Sequence, residues 1–429
     1  MSRPIAILGA GISGLSIAWH LKQAEPSRKL HIIEKSHRVG GWIQTIQKEG
    51  FLFELGPKSC RMRGQCAQTL ALIESLGIQD QMLYPHPDAK SRYVHDGDHL
   101  RSLPRRLWQL GVFSALYQDW KSPKGNGVDE SIYSFFNRRI GKKWADNLID
   151  PLVSGIYAGD CRKLSIKACF PLIDQWEKQS GSLLKGALHN LRHKTQKSPA
   201  LFSFKNGMET LPLALGERLK NELLLNQSVT GLKWHNDHIQ IHLEGGQFIE
   251  VEQVISTLPT YALAPLLDLQ QLVALKYASV CVVNLGYHHL ITSKKGFGYL
   301  IPSGLHTPVL GCVFDSSVFP EQDAENQKRM TVMLGGMHYP EIINKNDDEL
   351  VALSLKTLKK DLNINKEPTI IHVHKASKAI PQFEMGYLSW KKEIEKEIKE
   401  QFPGLILAGS GWAGVSINDC INHTYLAKK

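Results

Sequence analysis

The sequence predicts a mixed α/β protein whose N-terminal unit is Rossmann-like. Residues 5–34 run strand, glycine turn, helix, strand, acid, and residues 224–259 read as a series of short strands. Between them, residues 99–200 carry mainly helical patterning. At 429 residues the chain has room for two or three domains, each able to bury its own core. A composition 42% hydrophobic and 21% charged excludes a disordered chain. No run approaches the roughly 20 apolar residues of a spanning helix.

The first element is the run Ile5-Ala6-Ile7-Leu8, apolar and β-favouring as a buried parallel strand should be. Gly9-Ala10-Gly11-Ile12-Ser13-Gly14 follows at once, then Leu15, Ile17, Ala18 and Leu21 give a helical apolar face. A second strand, Leu30-His31-Ile32-Ile33, ends at Glu34. In such a unit Gly9 permits the tight turn, Gly11 lets the backbone approach a pyrophosphate, and Gly14 lets helix and sheet pack closely. The pyrophosphate then sits at the positive end of the helix dipole. Glu34 stands where a ribose-binding carboxylate is expected, and an acid there disfavours a 2′-phosphate. NAD and FAD both remain open at this point.

The next block runs Glu34-Lys35-Ser36-His37-Arg38-Val39-Gly40-Gly41-Trp42, followed by Glu54-Leu55-Gly56-Pro57-Lys58-Ser59. Arg38 can neutralise phosphate charge, and Gly40 and Gly41 let a loop pass close to a cofactor. The order acid, three residues, Arg, one residue, Gly-Gly resembles the second signature of the FAD-dependent amine oxidase superfamily. The resemblance implies FAD, held by residues 9–14, Glu34, Lys35, Arg38, Gly41, Trp42 and, beside the flavin ring, Gly56, Pro57, Lys58 and Ser59.

Further along, Asn206 to Leu211 suggests a helix start, and strands are expected near 224–229, 231–234, 239–243 and 248–251. Gly245-Gly246 reads as a hairpin turn. The strand 254–258 stops at Pro259. In the superfamily such a block returns the chain to the FAD domain, with Val229 contacting the adenine side through its backbone. At the end, the apolar run 405–408 enters a turn at Gly409, and Gly411 to Ile421 follow. This is similar to the closing strand and helix start that hold the flavin ring, implying contacts from Gly409, Val415, Ser416 and Ile417. Ser416 departs from the small apolar residue or glycine usual there. The FAD-binding domain is therefore expected to be discontinuous.

Three segments narrow the resemblance: Glu54 to Ser59, the Ser154-Gly155-Ile156-Tyr157-Ala158-Gly159-Asp160 block after Asp150, and Gly296 to Pro302. Phe319 to Gln322 and Pro381-Gln382 add to them. Along nearly its whole length the chain resembles the oxygen-dependent protoporphyrinogen oxidases. That family implies a porphyrinogen substrate and dioxygen as acceptor. It implies six-electron oxidation by hydride transfer to flavin N5, with hydrogen peroxide as by-product. No residue is assigned as a catalytic acid or base. A porphyrinogen is a broad apolar macrocycle with carboxylate arms, so its site should be apolar with few cationic anchors. Arg92 matches the family position that pairs with a propionate, a task for a bidentate guanidinium. Phe297 and Leu300 match positions lining the macrocycle, Gly298 one where a side chain would crowd it, and Met333 is a further lining candidate.

The domains implied are an FAD-binding domain of 1–90, 201–262 and 385–429, a mixed-sheet substrate domain of 91–98 and 263–384, and a helical insertion of 99–200. In that insertion Arg101, Arg105 and Arg106 alternate with Leu103, Leu107, Trp108, Leu110, Val112 and Phe113. Such a stretch can lie in a membrane interface, and the family's comparable region is membrane-associated. Residues 388–400 read as an exposed charged helix.

The 51 basic against 41 acidic residues give a net charge of +10, which admits nucleic acid, an anionic membrane or an anionic substrate. The basic residues are scattered, so no nucleic-acid partner is expected. The seven cysteines form no C-x-x-C pair, so neither a disulfide framework nor a metal site is expected. The glycine spacing after Arg3 marks the N-terminus as mature structure rather than a leader. A cytoplasmic protein is expected, peripheral on the inner face of the membrane, monomeric or homodimeric, with product handover to a ferrochelatase. Competing readings are coproporphyrinogen III oxidation on the same fold, or another amine oxidase or desaturase.

Overall fold

The structure, a computed structural model, describes residues 3–62, 66–192, 199–289 and 291–423. The expected domain ranges also take in residues 1–2, 63–65, 193–198, 290 and 424–429, which lie outside the described residues.

Five short strands build a parallel sheet in the order Leu223–Leu224, Leu30–Ile33, Ile5–Leu8, Gln253–Ser256, Leu405–Leu407. It draws on the start, middle and end of the chain, which makes the Rossmann-like unit discontinuous. Helix Ile12–Ala24 packs on one face, where Leu15, Ile17 and Ala18 meet Leu211, Leu215 and Ile421. Leu8, Val254 and Leu405 point to the opposite core with Leu263, Ile394 and Ile398. Both faces are buried, hence the continuous apolar runs. Helix Tyr387–Gln401 buries Tyr387, Ile394 and Ile398 and exposes the remaining charged face.

The expected strand at 224–229 is not formed. Residues 223–224 pair with Ile32 and Ile33, and the chain then turns before Val229–Trp234 opens an antiparallel meander with Ile239–Leu243 and Phe248–Val251. Asn226, at φ +54°, opens a polar turn Asn226-Gln227-Ser228 between the apolar residues, and the two ends serve different sheets. Gly245 and Gly246 both take positive φ, +90° and +83°, as a two-residue hairpin turn requires.

A seven-stranded sheet runs Ile370–Pro381, Tyr277–Tyr287, Lys328–Gly335, Val309–Val313, Gly298–Leu300, Arg92–His95, Leu100–Ser102. Only the Gly298–Leu300 and Arg92–His95 pair is parallel. Helix Asp347–Leu362 covers one face through Leu350 and Leu358, which pack on Cys281, Val283, Cys312 and Val332. Asn346 and Glu349 close a capping box at that helix's start.

Residues 103–192 are helical, from Leu103–Leu110 to Leu183–Arg192. Among the described residues, no helix is long and apolar enough to cross a membrane.

Candidate active site

All the loops of interest leave the carboxyl ends of the parallel strands. Strand Ile5–Leu8 lies at the centre, with its neighbours in sequence and in space on opposite sides, so the crevice opens where strand order reverses. Gly9 has φ +99°, and a Cβ there would lie 2.8 Å from Thr257 Oγ1. A Cβ on Gly14 would lie 2.0 Å from the Gly9 carbonyl oxygen. Both glycines are demanded by the protein's own packing. Gly11 is different: its φ of −72° suits any residue, and a Cβ would meet nothing nearer than Gly41 Cα at 3.9 Å. The missing side chain leaves room above the first turn of helix Ile12–Ala24, the cradle a diphosphate fills. Ala10, Ile12 and Ser13 are buried around it.

The second loop closes on the first. Gly40 N donates to Ala10 O at 2.8 Å, and Gly41 Cα faces Gly11. Glu34 Oε2 accepts from Ala10 N, while Oε1 accepts from Ser36 N and Ser36 Oγ, each at 2.9 Å. The carboxylate thus holds the glycine turn itself, Oε1 accepting two bonds and Oε2 one. Arg38 is tied into the protein's own loop. Its guanidinium donates to Glu209 Oε1 at 3.2 Å and to the carbonyls of Val39 and Gly41, so Glu209 balances the charge. Arg38 staples the loop. Lys35 and Trp42 are exposed. Val229 follows the turn in which Gln227 N donates to Glu34 O, and so lies one step from the ribose carboxylate.

Residues 56–60 run along the crevice. A Cβ on Gly56 would strike Trp42 O at 1.8 Å. Pro57 and Ser59 are half-buried, and Cys60 Sγ reaches Asn418 Oδ1 at 3.2 Å in helix Ile417–His423. Lys58, between them, turns its ammonium to Asp315 Oδ1 (3.1 Å) and Thr331 Oγ1 (2.7 Å) on the seven-stranded sheet. At the closing end Gly409 takes φ +89° against Thr257 O, Val415 packs beside Tyr157, and Ile417 is buried. The serine at 416 has a local reason. Its hydroxyl accepts from Asp419 N and its N–H donates to Asp419 Oδ2, both at 3.1 Å, a reciprocal cap for the helix that follows.

Strand register unites four of the residues expected to line the substrate. Cross-strand partners share a face, so Arg92, Gly298, Val313, Thr331, Asn284 and His372 form one row. Leu300, Gly311, Met333, Val282 and His374 form the next row on the same face. Phe297 stands beside them with the Arg92 guanidinium 5.1 Å over its ring. Helix Asp150–Tyr157 lies against this face, Gly155 fitting over Leu300. Asp150 accepts from Ser303 N and Oγ, while Gln382 Nε2 donates to Tyr157 O. The block 154–160, Gly296 to Pro302 and Pro381-Gln382 therefore meet in space. Gly298 is glycine for a reason other than room for a macrocycle: a Cβ there would lie 2.1 Å from Cys312 O on the adjacent strand.

A small cavity of about 10 Å³ beside Phe297 is lined by Glu54, Lys58, Val313, Asp315, Phe319 and Arg329, among others. Sequence reading gave no signal for Asp315, Arg329 or Thr331, whose partners lie far along the chain. Burial pushes the Glu54 carboxyl up to about 7, against the hydrogen bonds from Met208 N and Thr45 Oγ1. A raised carboxyl favours the folded state while protonated, so its stabilisation is lost as pH rises from about 4.5 through about 7. Glu54→Gln is expected to remove that slope and to stabilise the protein above neutrality by about 3 kcal/mol, read from denaturant midpoints across pH.

Among the described residues no cluster of three or more His, Cys, Asp or Glu is placed to hold a metal ion. Burial pushes the thiols of Cys60, Cys161 and Cys169 up to about 12, far from reactive thiolates. The basic stretch 101–113 is less uniform than its pattern. Arg101 pairs with Asp96, and Arg106 is buried with Nη2 donating to Asn147 Oδ1 at 2.6 Å. Arg105 is exposed, and four aromatics share the surface: Trp108, Phe113, Tyr117 and Trp120 are each at least 60% exposed.

Comparison with known proteins agrees with this geometry. The flavin containing amine oxidoreductase family matches residues 12–427. The chain is 34% identical to the protoporphyrinogen oxidase of Bos taurus, across 98% of this chain and 96% of that one. It is 28% identical to the coproporphyrinogen III oxidase of Bacillus subtilis, across 97% and 95%. A solved structure from Exiguobacterium sp. 255-15, assigned as a protoporphyrinogen oxidase, superposes with a TM-score of 0.88 at 22% identity, covering 100% of this chain and 98% of that one.

Proposed function

Since the chain belongs to the flavin-containing amine oxidoreductases and, among them, to the protoporphyrinogen oxidases, we propose that it oxidises protoporphyrinogen IX to protoporphyrin IX with dioxygen as the final acceptor. The cofactor is FAD. When bound, FAD supplies the hydride acceptor and the route of electrons to dioxygen.

The observation that carries this reading is the shared sheet face. It sets Arg92 beside an apolar wall of Phe297, Leu300 and Met333, and Lys58 joins that face to the crevice with its glycine cradle. The cradle at Gly11 and Gly41 takes the diphosphate, Glu34 the ribose, and Val229 the adenine side. Residues 56–59 and the 409–417 turn flank the ring end. Arg92 grips a propionate, and the apolar wall holds the macrocycle and excludes water. Trp108, Phe113, Tyr117 and Trp120 form a surface suited to a membrane interface, where a lipophilic substrate and product collect.

Arg92→Ala is expected to lower kcat/KM for the porphyrinogen about 10- to 100-fold, the loss of a charge-assisted bond, with FAD content unchanged. Steady-state kinetics beside flavin absorbance check this; equal loss of both would make Arg92 a structural residue. Turnover of protoporphyrinogen IX against coproporphyrinogen III by the same preparation tests the substrate. A preference for the tetracarboxylate would assign the chain to the coproporphyrinogen reaction on the same site.

A further inference from the structure

Removing hydride from a methylene bridge leaves the macrocycle with a positive charge. That charge is discharged when a proton leaves the macrocycle for a base, its electron pair staying behind; over the three steps two such protons come from pyrrole N–H bonds and one from a bridge C–H bond. Every two-electron step therefore needs a proton acceptor. Besides Arg92, Arg329, His372 and His374, the polar side chains on and beside the substrate-facing sheet gather around Thr331. Thr331 Oγ1 lies 2.7 Å from Lys58 Nζ, 2.7 Å from Asp315 Oδ2 and 2.8 Å from Asn284 Oδ1.

The hydroxyl carries one proton and can serve only one of the two oxygens facing it. A proton added to Asp315 Oδ2 resolves this arrangement: Asp315 donates to Thr331, and Thr331 to Asn284. Asn284 is fully buried, and its Nδ2 has no partner among the described residues. The group is thus a buried polar network with capacity to rearrange. It is also placed for the task. Asp315 and Phe297 line the same pocket, and Phe314 N donates to Phe297 O at 3.0 Å.

We propose that Asp315 is the acceptor for the proton that leaves the macrocycle after each hydride, with Thr331 and Lys58 holding its carboxylate in place. The O–H bond formed on Asp315 replaces the N–H or C–H bond broken on the substrate, and the proton passes to bulk water before the next step. This rests on the porphyrinogen reading above. The other ionisable groups around Asp315 are Lys58, Glu54, Arg329 and Cys312.

The test is the Asp315→Ala holoenzyme with added formate. Its kcat is expected to fall about 100-fold or more, with KM and FAD content held, and formate should restore turnover by supplying the missing base. Asp315→Glu should retain most of the rate. An active wild type whose Asp315→Ala form keeps its kcat, or loses it without rescue by formate, overturns the proposal alone. If Asp315→Ala fails to fold, wild-type rates in Asp315→Asn would overturn it equally. A flavin-loaded wild type inert to every porphyrinogen overturns both this proposal and the reading beneath it.

Discussion

Gly11→Val yields a folded, colourless protein. The backbone at residue 11 is extended, with φ −72° and ψ 176°, which valine adopts readily. No protein atom lies nearer a Cβ than Gly41 Cα at 3.9 Å, so the fold accepts a side chain there. The branched methyls instead take the space of the diphosphate, and the N–H groups of the first helical turn lose their anion. The circular dichroism spectrum and thermal midpoint should match those of flavin-free wild type, while flavin absorbance is absent. Gly14→Ala is the contrasting control. Its Cβ would collide with Gly9 O at 2.0 Å, so that variant should fail in folding rather than in colour. A yellow Gly11→Val protein would show that the cofactor lies elsewhere.

The second large effect falls on the helical region. Arg139 is fully buried, and its guanidinium donates to Asp119 Oδ1 through Nε and Nη2, at 2.8 and 2.5 Å. It also donates to the carbonyls of Asp119, Ser122 and Gly181. Asp119 in turn accepts from Ser182 Oγ and from the N–H groups of Leu183 and Leu184, so it caps the helix that follows. Burial opposes the charge, yet these hydrogen bonds hold its carboxyl below the ordinary value. Removing Arg139 leaves Asp119 buried without its cation, and removing Asp119 leaves Arg139 with the longer 3.3 Å contact to Glu177 Oε1 as its ion pair. Asp119→Ala or Arg139→Met should cost about 3–5 kcal/mol, measured by denaturant unfolding. The double variant Asp119→Leu/Arg139→Met should recover much of the loss, because a buried pair replaced whole is nearly neutral. Single variants within about 0.5 kcal/mol of wild type would show that the pair bears no such load.

Local chemistry made part of this legible in the sequence. The run from Ile5 to Glu34 has a period, a glycine spacing and an acid that one fold satisfies, and the Gly245-Gly246 turn follows from φ requirements alone. Long-range pairing was out of reach. Arg38 reads as a phosphate ligand until Glu209, far along the chain, is found beside it. Gly298 reads as a pocket glycine until Cys312 O is placed against it. The 224–229 strand failed because Asn226-Gln227-Ser228 interrupts the apolar residues, and there the chain hands over from one sheet to another. Asp315 and Thr331 had no motif; only the register of Lys328–Gly335 beside Val309–Val313 brings them to Lys58.

The +10 charge that first admitted nucleic acid now has a different distribution. Arg38, Arg106, Arg139 and Arg329 are consumed by internal partners. Arg92 lies on the substrate face, with its guanidinium over Phe297.

The central claim is that a porphyrinogen delivers its electrons to FAD held in the glycine cradle. Mixing the FAD-loaded protein with protoporphyrinogen IX in the absence of oxygen tests it most directly. The account predicts that flavin absorbance bleaches as porphyrin fluorescence rises, and that admitting oxygen restores the flavin colour with release of hydrogen peroxide. Flavin that keeps its oxidised spectrum in the presence of protoporphyrinogen IX and coproporphyrinogen III alike would contradict it.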